Sequence, residues 1–172
     1  MSESELKAAL GNRRILFVDD DPPLVADYRD ALRDAGLNVV VKKTLSSGMR
    51  LIREDASSIG LALVDLSMPG DRPDDLAQRY HELTRANGQL LGQWLWDDHR
   101  GQPPYAYFTA YPNLYQPHPN AVLQEFETVE RARRILILDK FNIRPSQLLE
   151  CLKIVLVEWN NLCGKSGHEQ AE

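Results

Sequence analysis

The sequence predicts an α/β domain built on a five-stranded parallel sheet with helices on both faces. Three observations carry that expectation. Five apolar runs, residues 15–18, 39–41, 61–66, 105–108 and 135–138, are strand-sized and continuous rather than alternating, the pattern of strands covered on both sides. Stretches of helical period separate these runs, so that strand and helix alternate along the chain, and right-handed crossovers then lay the helices on both faces. The composition, 43% hydrophobic and 26% charged, is that of an ordinary globular chain and excludes a disordered, collagenous or coiled-coil polypeptide.

Each element has a local reason. Residues 1–12 read as an N-terminal extension, with Glu3, Glu5 and Lys7 where a signal peptide needs an apolar centre. Ile15, Leu16, Phe17 and Val18 make the first strand, and Asp21-Pro22 opens a helix over residues 23–35, an acid at the cap followed by proline being a common start. A Val39-Val40-Val41 strand and a helix over 47–54 lead to the third strand. From 73 to 96, Leu76, Tyr80, Leu83, Leu91, Trp94 and Leu95 keep a helical period across Asn87-Gly88, a pair that favours a break. Two arrangements fit: one helix of about 36 Å at 1.5 Å per residue, or a helical hairpin turning at Asn87-Gly88. Trp94, on the stripe of Leu91 and Leu95, is expected inside, and Trp96 at an edge.

After the fourth strand, Pro112, Pro117 and Pro119 oppose helix and favour an extended loop, which serves either to dock a partner or to cover its own domain. A helix over 121–133 ends near Arg131, Arg133 and Arg134, cations that suit a helix C-terminus. The last helix, 145–162, carries Leu148, Leu152, Val155, Leu156 and Trp159 on one stripe. Residues 13–164 are thus expected to form one domain and residues 165–172 a flexible polar tail, with no room for a separate output domain in 172 residues.

Charge and cysteine content narrow the function. Twenty Lys and Arg against 25 Asp and Glu give a net charge of −5, the wrong sign for a surface that holds nucleic acid. No apolar run reaches membrane-spanning length. Cys151 and Cys163 suggest neither a disulfide framework nor a zinc cluster, and His81, His99, His118 and His168 show no ligand spacing. A reducing, cytoplasmic setting fits best.

Polar groups gather where an open parallel sheet places its chemistry, at the carboxyl ends of the strands. The first strand ends in Asp19-Asp20-Asp21, the third in Asp65-Leu66-Ser67-Met68-Pro69-Gly70, the fourth in Thr109-Ala110 and the fifth in Asp139-Lys140. Taken singly, each has a plain structural use: helix capping for the acids, a strand-ending turn for Asp65, a satisfied turn hydroxyl for Thr109, a solvated loop for Lys140. Their joint order at successive strand ends favours a shared site.

In this order the chain resembles the receiver domain of two-component response regulators, through Leu16 to Pro22, Leu63 to Gly70, Phe108-Thr109-Ala110 and Lys140. The resemblance extends from about Arg13 to Leu162 and implies the flavodoxin-like receiver fold. It further implies that Asp65 accepts a phosphoryl group, that Lys140 pairs with the phosphoryl oxygens and that Thr109 donates its hydroxyl. Asp19, Asp20 and Asp65, with the Ser67 carbonyl, would hold Mg²⁺ or another divalent cation, a hard ion that takes oxygen ligands. The implied partners are a sensor histidine kinase or a histidine phosphotransfer protein and an output protein reached by contact, a homodimer being one form of such contact.

The match departs in three places. Phe141 follows Lys140 where the family has proline with a cis peptide, a geometry that costs a non-proline residue about 2.5–4 kcal/mol. Ile137 stands where the family's switch aromatic lies. The 44 positions from Asp65 to Thr109 and the 31 from Thr109 to Lys140 lengthen the third and fourth crossovers. These departures sustain an alternative, a receiver-like binding module that works without phosphorylation. A phosphohydrolase of the haloacid-dehalogenase type fits poorly, since it needs an acid two positions after the nucleophile and Ser67 stands there.

Overall fold

The computed structural model describes residues 1–70, 72–80, 86–115 and 136–163. Its strands are β1 (Arg14–Val18), β2 (Val39–Lys42), β3 (Ile59–Val64), β4 (Tyr105–Thr109) and β5 (Ile137–Asp139). They form one parallel sheet in the order β2-β1-β3-β4-β5. The chain leaves β1 toward β2 and then crosses back to β3 on the other side, so the crevice between the carboxyl ends of β1 and β3 is the topological switch point. The helices are α1 (Glu3–Leu10), α2 (Ala26–Asp34), α3 (Leu45–Asp55), α4 (Asp74–Arg79), α5 (Asn87–His99) and α6 (Pro145–Cys163).

Both sheet faces are covered, which is why the strands read as continuous apolar runs. Leu16, Val18, Ala62, Val64, Tyr105 and Tyr107 face a cluster completed by α3, α4 and α5. Their neighbours in sequence, Ile15, Phe17, Leu61, Leu63, Ala106 and Phe108, face a second cluster with α1, α2 and α6, as the two-residue strand period requires. Glycines let α5 lie close to the sheet: a Cβ at Gly92 would sit 2.1 Å from the Tyr107 hydroxyl.

Several boundaries differ from those expected. Asp21 does not cap α2. It opens a turn, its carbonyl oxygen accepting from the Leu24 N–H at 3.0 Å, and the helix begins only at Ala26. Thr44 caps α3 two residues earlier than the apolar pattern suggests, in a reciprocal capping box with Ser47. β3 starts at Ile59 and ends at Val64, handing Asp65 and Leu66 to the loop. The stretch from 73 to 96 is neither of the expected forms as stated. It is a short α4 and a separate α5 that begins at Asn87. α4 is pinned to its neighbours by Arg79 on Asp98, the Tyr80 hydroxyl on Asp97 and Arg53 on Asp75. Helix α5, packed against α3 and α4, is buried all round from Gly88 to Leu95. Trp94 is inside, and Trp96 is half-buried at an edge.

Pro112–Leu114 forms a 3-10 turn rather than an extended loop, proline supplying its first helical position. Leu114 and Tyr115 pack against the core, the Tyr115 ring 5.8 Å from that of Tyr107, so this part of the insertion covers its own domain. The expected helix over 121–133, the arginines at 131, 133 and 134, Pro117, Pro119, His81, His118, His168 and the tail lie outside the described residues. Among the described residues, no helix is long and apolar enough to cross a membrane.

Residues 1–12, expected as an extension, contain α1, capped by Ser2 with Glu5 at the third position. Leu6 and Leu10 are fully buried in the second cluster, and Leu10 lies against Gly60 at the start of β3. Helix α1 is therefore part of the core. Leu6→Ala is expected to cost about 2–5 kcal/mol through lost burial and the cavity left behind, measured by urea unfolding. A change under about 0.5 kcal/mol, the range of surface substitutions, would show α1 to be dispensable.

Candidate functional site

Four strand ends use the same local device. A side-chain oxygen at or just past the last strand residue accepts the backbone N–H two residues on: Asp19 Oδ1 from Asp21 at 3.0 Å, Asp65 Oδ1 from Ser67 at 3.0 Å, Thr109 Oγ1 from Tyr111 at 3.1 Å and Asp139 Oδ1 from Phe141 at 2.9 Å. These are side-chain-closed turns of the kind Asp and Thr favour. The turn readings of Asp65 and Thr109 are thus correct as local structure. They do not compete with a shared site, because each turn uses one oxygen and fixes where the rest of the group points.

In the two buried acids, the oxygen left over meets Lys140. Its ammonium lies 2.5 Å from Asp19 Oδ2 and 2.6 Å from Asp65 Oδ2. Asp19, Asp65 and Lys140 are 1%, 5% and 3% exposed and Thr109 is 0%, so the triad exchanges these charges with one another rather than with water. Its backbone follows the same logic: the Lys140 N–H donates to the Thr109 carbonyl at 2.9 Å, continuing the β4·β5 ladder past the strand end. Asp20 lies at the exposed rim, yet carboxylate oxygens of Asp19, Asp20 and Asp65 come within 4.8 Å of one another. Ser67 is half-buried beside them.

Three carboxylates around one ammonium leave negative charge uncompensated. The Asp19 carboxyl is held above its ordinary range, because burial raises it more than Lys140 lowers it, with Asp65 adding repulsion. Asp20 is raised too, partial burial of its carboxyl being the largest cause. An all-oxygen donor set with excess negative charge, open to water on one side, suits a hard divalent cation and not a soft one. Asp19, Asp20 and Asp65 could hold it.

Groups that sequence reasoning did not single out shape this centre. Gly88 brings α5 against the loop of Asp65: a Cβ there would lie 1.7 Å from the Asp65 carbonyl oxygen, and the Gly88 N–H donates to Leu66 at 3.2 Å. The neighbouring Asn87 side chain donates to the Met68 carbonyl at 2.9 Å. Asn87-Gly88 is legible as a break, but what it approaches is not. Nothing in the sequence marks Tyr28, whose hydroxyl lies 2.6 Å from the Lys140 carbonyl oxygen and 2.8 Å from that of Ile143. The Lys140–Phe141 bond is not among the cis peptides. The turn after Lys140 is closed instead by Asp139, which accepts from Phe141 and, at 2.6 Å, from the Asn142 amide. Phe141 itself is 72% exposed, and Ile137 is 38% exposed on β5.

Two outcomes are expected. Gly88→Ala pushes α5 off the Asp65 loop and destabilises the fold by about 1–3 kcal/mol, with backbone shifts at Asp65 to Ser67 visible by NMR; an unperturbed spectrum would refute the close approach. Asp19, with its pKa raised, binds its proton more tightly in the folded than in the unfolded chain. Its contribution to stability therefore falls as pH rises from the unfolded value near 3.8 through the folded one. Asp19→Asn should then raise the thermal midpoint at pH 7 without divalent cation, the advantage shrinking toward pH 4. A lowered midpoint at pH 7 would mean that the Lys140 pair outweighs burial.

No protein-family model matches the sequence, and no curated protein matches it. Solved structures do. A CheY-like response regulator receiver domain protein from Methanospirillum hungatei JF-1 aligns with 87% of this chain and 97% of its own, at 22% identity and a TM-score of 0.57. The non-phosphorylated HemR receiver domain from Leptospira biflexa aligns over 83% and 93%, at 23% identity and a TM-score of 0.55. A response regulator receiver domain protein from Clostridium thermocellum covers 87% and 95%, at 15% identity and a TM-score of 0.56. With its five parallel strands in the order 2-1-3-4-5 and its acids at the switch point, the chain has the fold of the response regulator receiver domain.

Proposed function

We propose that this chain is a stand-alone response regulator receiver: Asp65 takes a phosphoryl group from the phosphohistidine of a sensor histidine kinase or histidine phosphotransfer protein, and the modified domain signals by protein contact. The carrying observation is the Lys140 ammonium set between Asp19 and Asp65, with Asp20 beside them, at the switch point of this sheet. A carboxylate oxygen of Asp65 attacks phosphorus, the bond from phosphorus to the donor's imidazole nitrogen breaks, and the imidazole keeps the electron pair and takes up a proton. Lys140 loses one carboxylate partner as Asp65 becomes an acyl phosphate and turns to the phosphoryl oxygens. Thr109, whose Oγ1 already accepts from Tyr111, has its hydrogen left to donate to them. Electrostatic positioning of this kind is most of what phosphoryl transfer asks of a protein.

Asp19, Asp20, Asp65 and the Ser67 carbonyl would hold Mg²⁺ or another divalent cation, which supplies the positive charge that lets an anionic donor approach an anionic acceptor. The chain would thereby catalyse its own modification and its reversal, and turn over no other substrate. The cytoplasm is the setting in which such partners meet, and pairing with a second copy is one route by which the message could pass.

A second reading has its own support. Lys140 already pairs with both Asp19 and Asp65, and Ile137 carries no ring to switch. A receiver-like module that binds partners without phosphorylation would need no more. Intact-mass measurement after incubation with acetyl phosphate and Mg²⁺ separates the two. The phosphoacceptor reading expects the wild type to gain one phosphoryl group, Asp65→Asn to gain none, and Asp20→Ala to gain it far more slowly because a direct cation ligand is gone. An unmodified wild type favours the binding module, and undiminished modification of Asp65→Asn would remove Asp65 as the acceptor.

A further inference from the structure

The hydroxyl of Tyr28 is spent on the one turn that must hold Lys140 in place. Tyr28 lies on α2, 8% exposed, more than one hundred positions away in sequence from the turn it meets. Its single proton is shared between the carbonyls of Lys140, at 2.6 Å, and Ile143, at 2.8 Å, the two ends of the loop that leaves β5. Its ring stands edge-on to Phe108, with centroids 4.9 Å apart and an interplanar angle of 80°. The Phe108 ring in turn lies 5.6 Å from the Lys140 ammonium. Tyr28 thus meets the Lys140 main chain directly through a hydrogen bond and its side chain only by way of Phe108.

The rest of the turn explains why such a brace is needed. Phe141 is 72% exposed and packs on little, so it does not anchor the loop. Asp139 closes the turn from the solvent side through Phe141 and Asn142. The Lys140 N–H joins the start of the turn to β4, Ile143 packs on the second cluster, and Tyr28 binds the carbonyls of both residues from α2. Ammonium-to-carboxylate distances of 2.5 and 2.6 Å leave no slack, since a drift of about 1 Å at a reacting centre costs orders of magnitude in rate.

We infer that Tyr28 is a positioning residue for Lys140: its hydroxyl sets the main chain after β5 so that the ammonium reaches Asp65 and, after transfer, the phosphoryl oxygens. The inference deepens the phosphoacceptor reading and rests on it only for the last step. It also gives α2 a direct line to the site, because any displacement of this helix moves the Lys140 carbonyl's partner.

The test compares the full chain with Tyr28→Phe, which keeps the ring on Phe108 and removes one oxygen. Three readouts are taken: the ¹H–¹⁵N signal of the Lys140 ammonium, Mg²⁺ affinity by calorimetry, and the rate of Asp65 modification by acetyl phosphate. The inference expects a folded variant in which the Lys140 ammonium signal shifts or broadens. Mg²⁺ affinity stays within about twofold, because no cation ligand is touched, while modification slows about tenfold. An unchanged ammonium signal overturns it. So does an Mg²⁺ affinity that falls in step with the rate, which marks general loosening of the site, or a variant that does not fold, which marks a purely structural hydroxyl. If the wild type is not modified at all, the phosphoacceptor reading fails, and the ammonium signal still decides the placement of Lys140 by Tyr28.

Discussion

The ammonium of Lys140 between the carboxylates of Asp19 and Asp65 is the interaction on which the rest of the structure turns. It joins the carboxyl ends of β1, β3 and β5, none of which could carry a buried charge alone, and removing Lys140, which would leave two buried carboxylates without a cation, costs about 3–5 kcal/mol. The group is not neutral, however, and Asp20 makes it less so. A site with this excess of negative charge is costly to the empty fold and favourable to whatever brings positive charge, which is the thermodynamic form of a cation site. Stability and function are therefore set against each other at one point, as they commonly are where a protein does chemistry.

Everything around that point serves to hold it. Side-chain-closed turns at four strand ends fix one oxygen each and so aim the rest of the group, a second carboxylate oxygen in the three aspartates and the hydroxyl hydrogen in Thr109. Gly88 lets α5 press on the Asp65 loop, and Tyr28 braces the Lys140 turn from α2. Both layers of helices thus reach the centre, one from each face of the sheet. The short α4 lies over α3 and α5 and so adds a cover that the sheet itself does not require, which is where part of the long third crossover is spent.

Much of this was legible in the sequence because it is periodic or local. Continuous β-branched runs such as Val39 to Val41, and their alternation with amphipathic stretches, dictate a doubly covered parallel sheet. Asp19, Asp65, Thr109 and Lys140 are readable because the sheet topology brings strand ends together whatever the loops do. Helix α1 was missed since eight residues with two buried leucines give too short a pattern to outweigh a charged composition. The start of α2 was misplaced because Asp21-Pro22 serves a turn as well as it serves a cap. Tyr28 and Gly88 show the deeper reason: their partners lie far off in sequence, so that an apolar stripe or an Asn-Gly pair reveals that a residue is inside or bends the chain, but not which carbonyl it touches.

Asp65, held by Lys140 and flanked by Asp19 and Asp20, is the proposed phosphoacceptor. Fluorine NMR of the chain with beryllofluoride and Mg²⁺ addresses it most directly, since beryllofluoride adds to a carboxylate oxygen only where the surroundings would also hold a phosphoryl group. Protein-bound fluorine resonances that require Mg²⁺ and vanish in Asp65→Asn are expected. Free beryllofluoride alone in the wild type, or bound resonances that survive Asp65→Asn, would contradict that role.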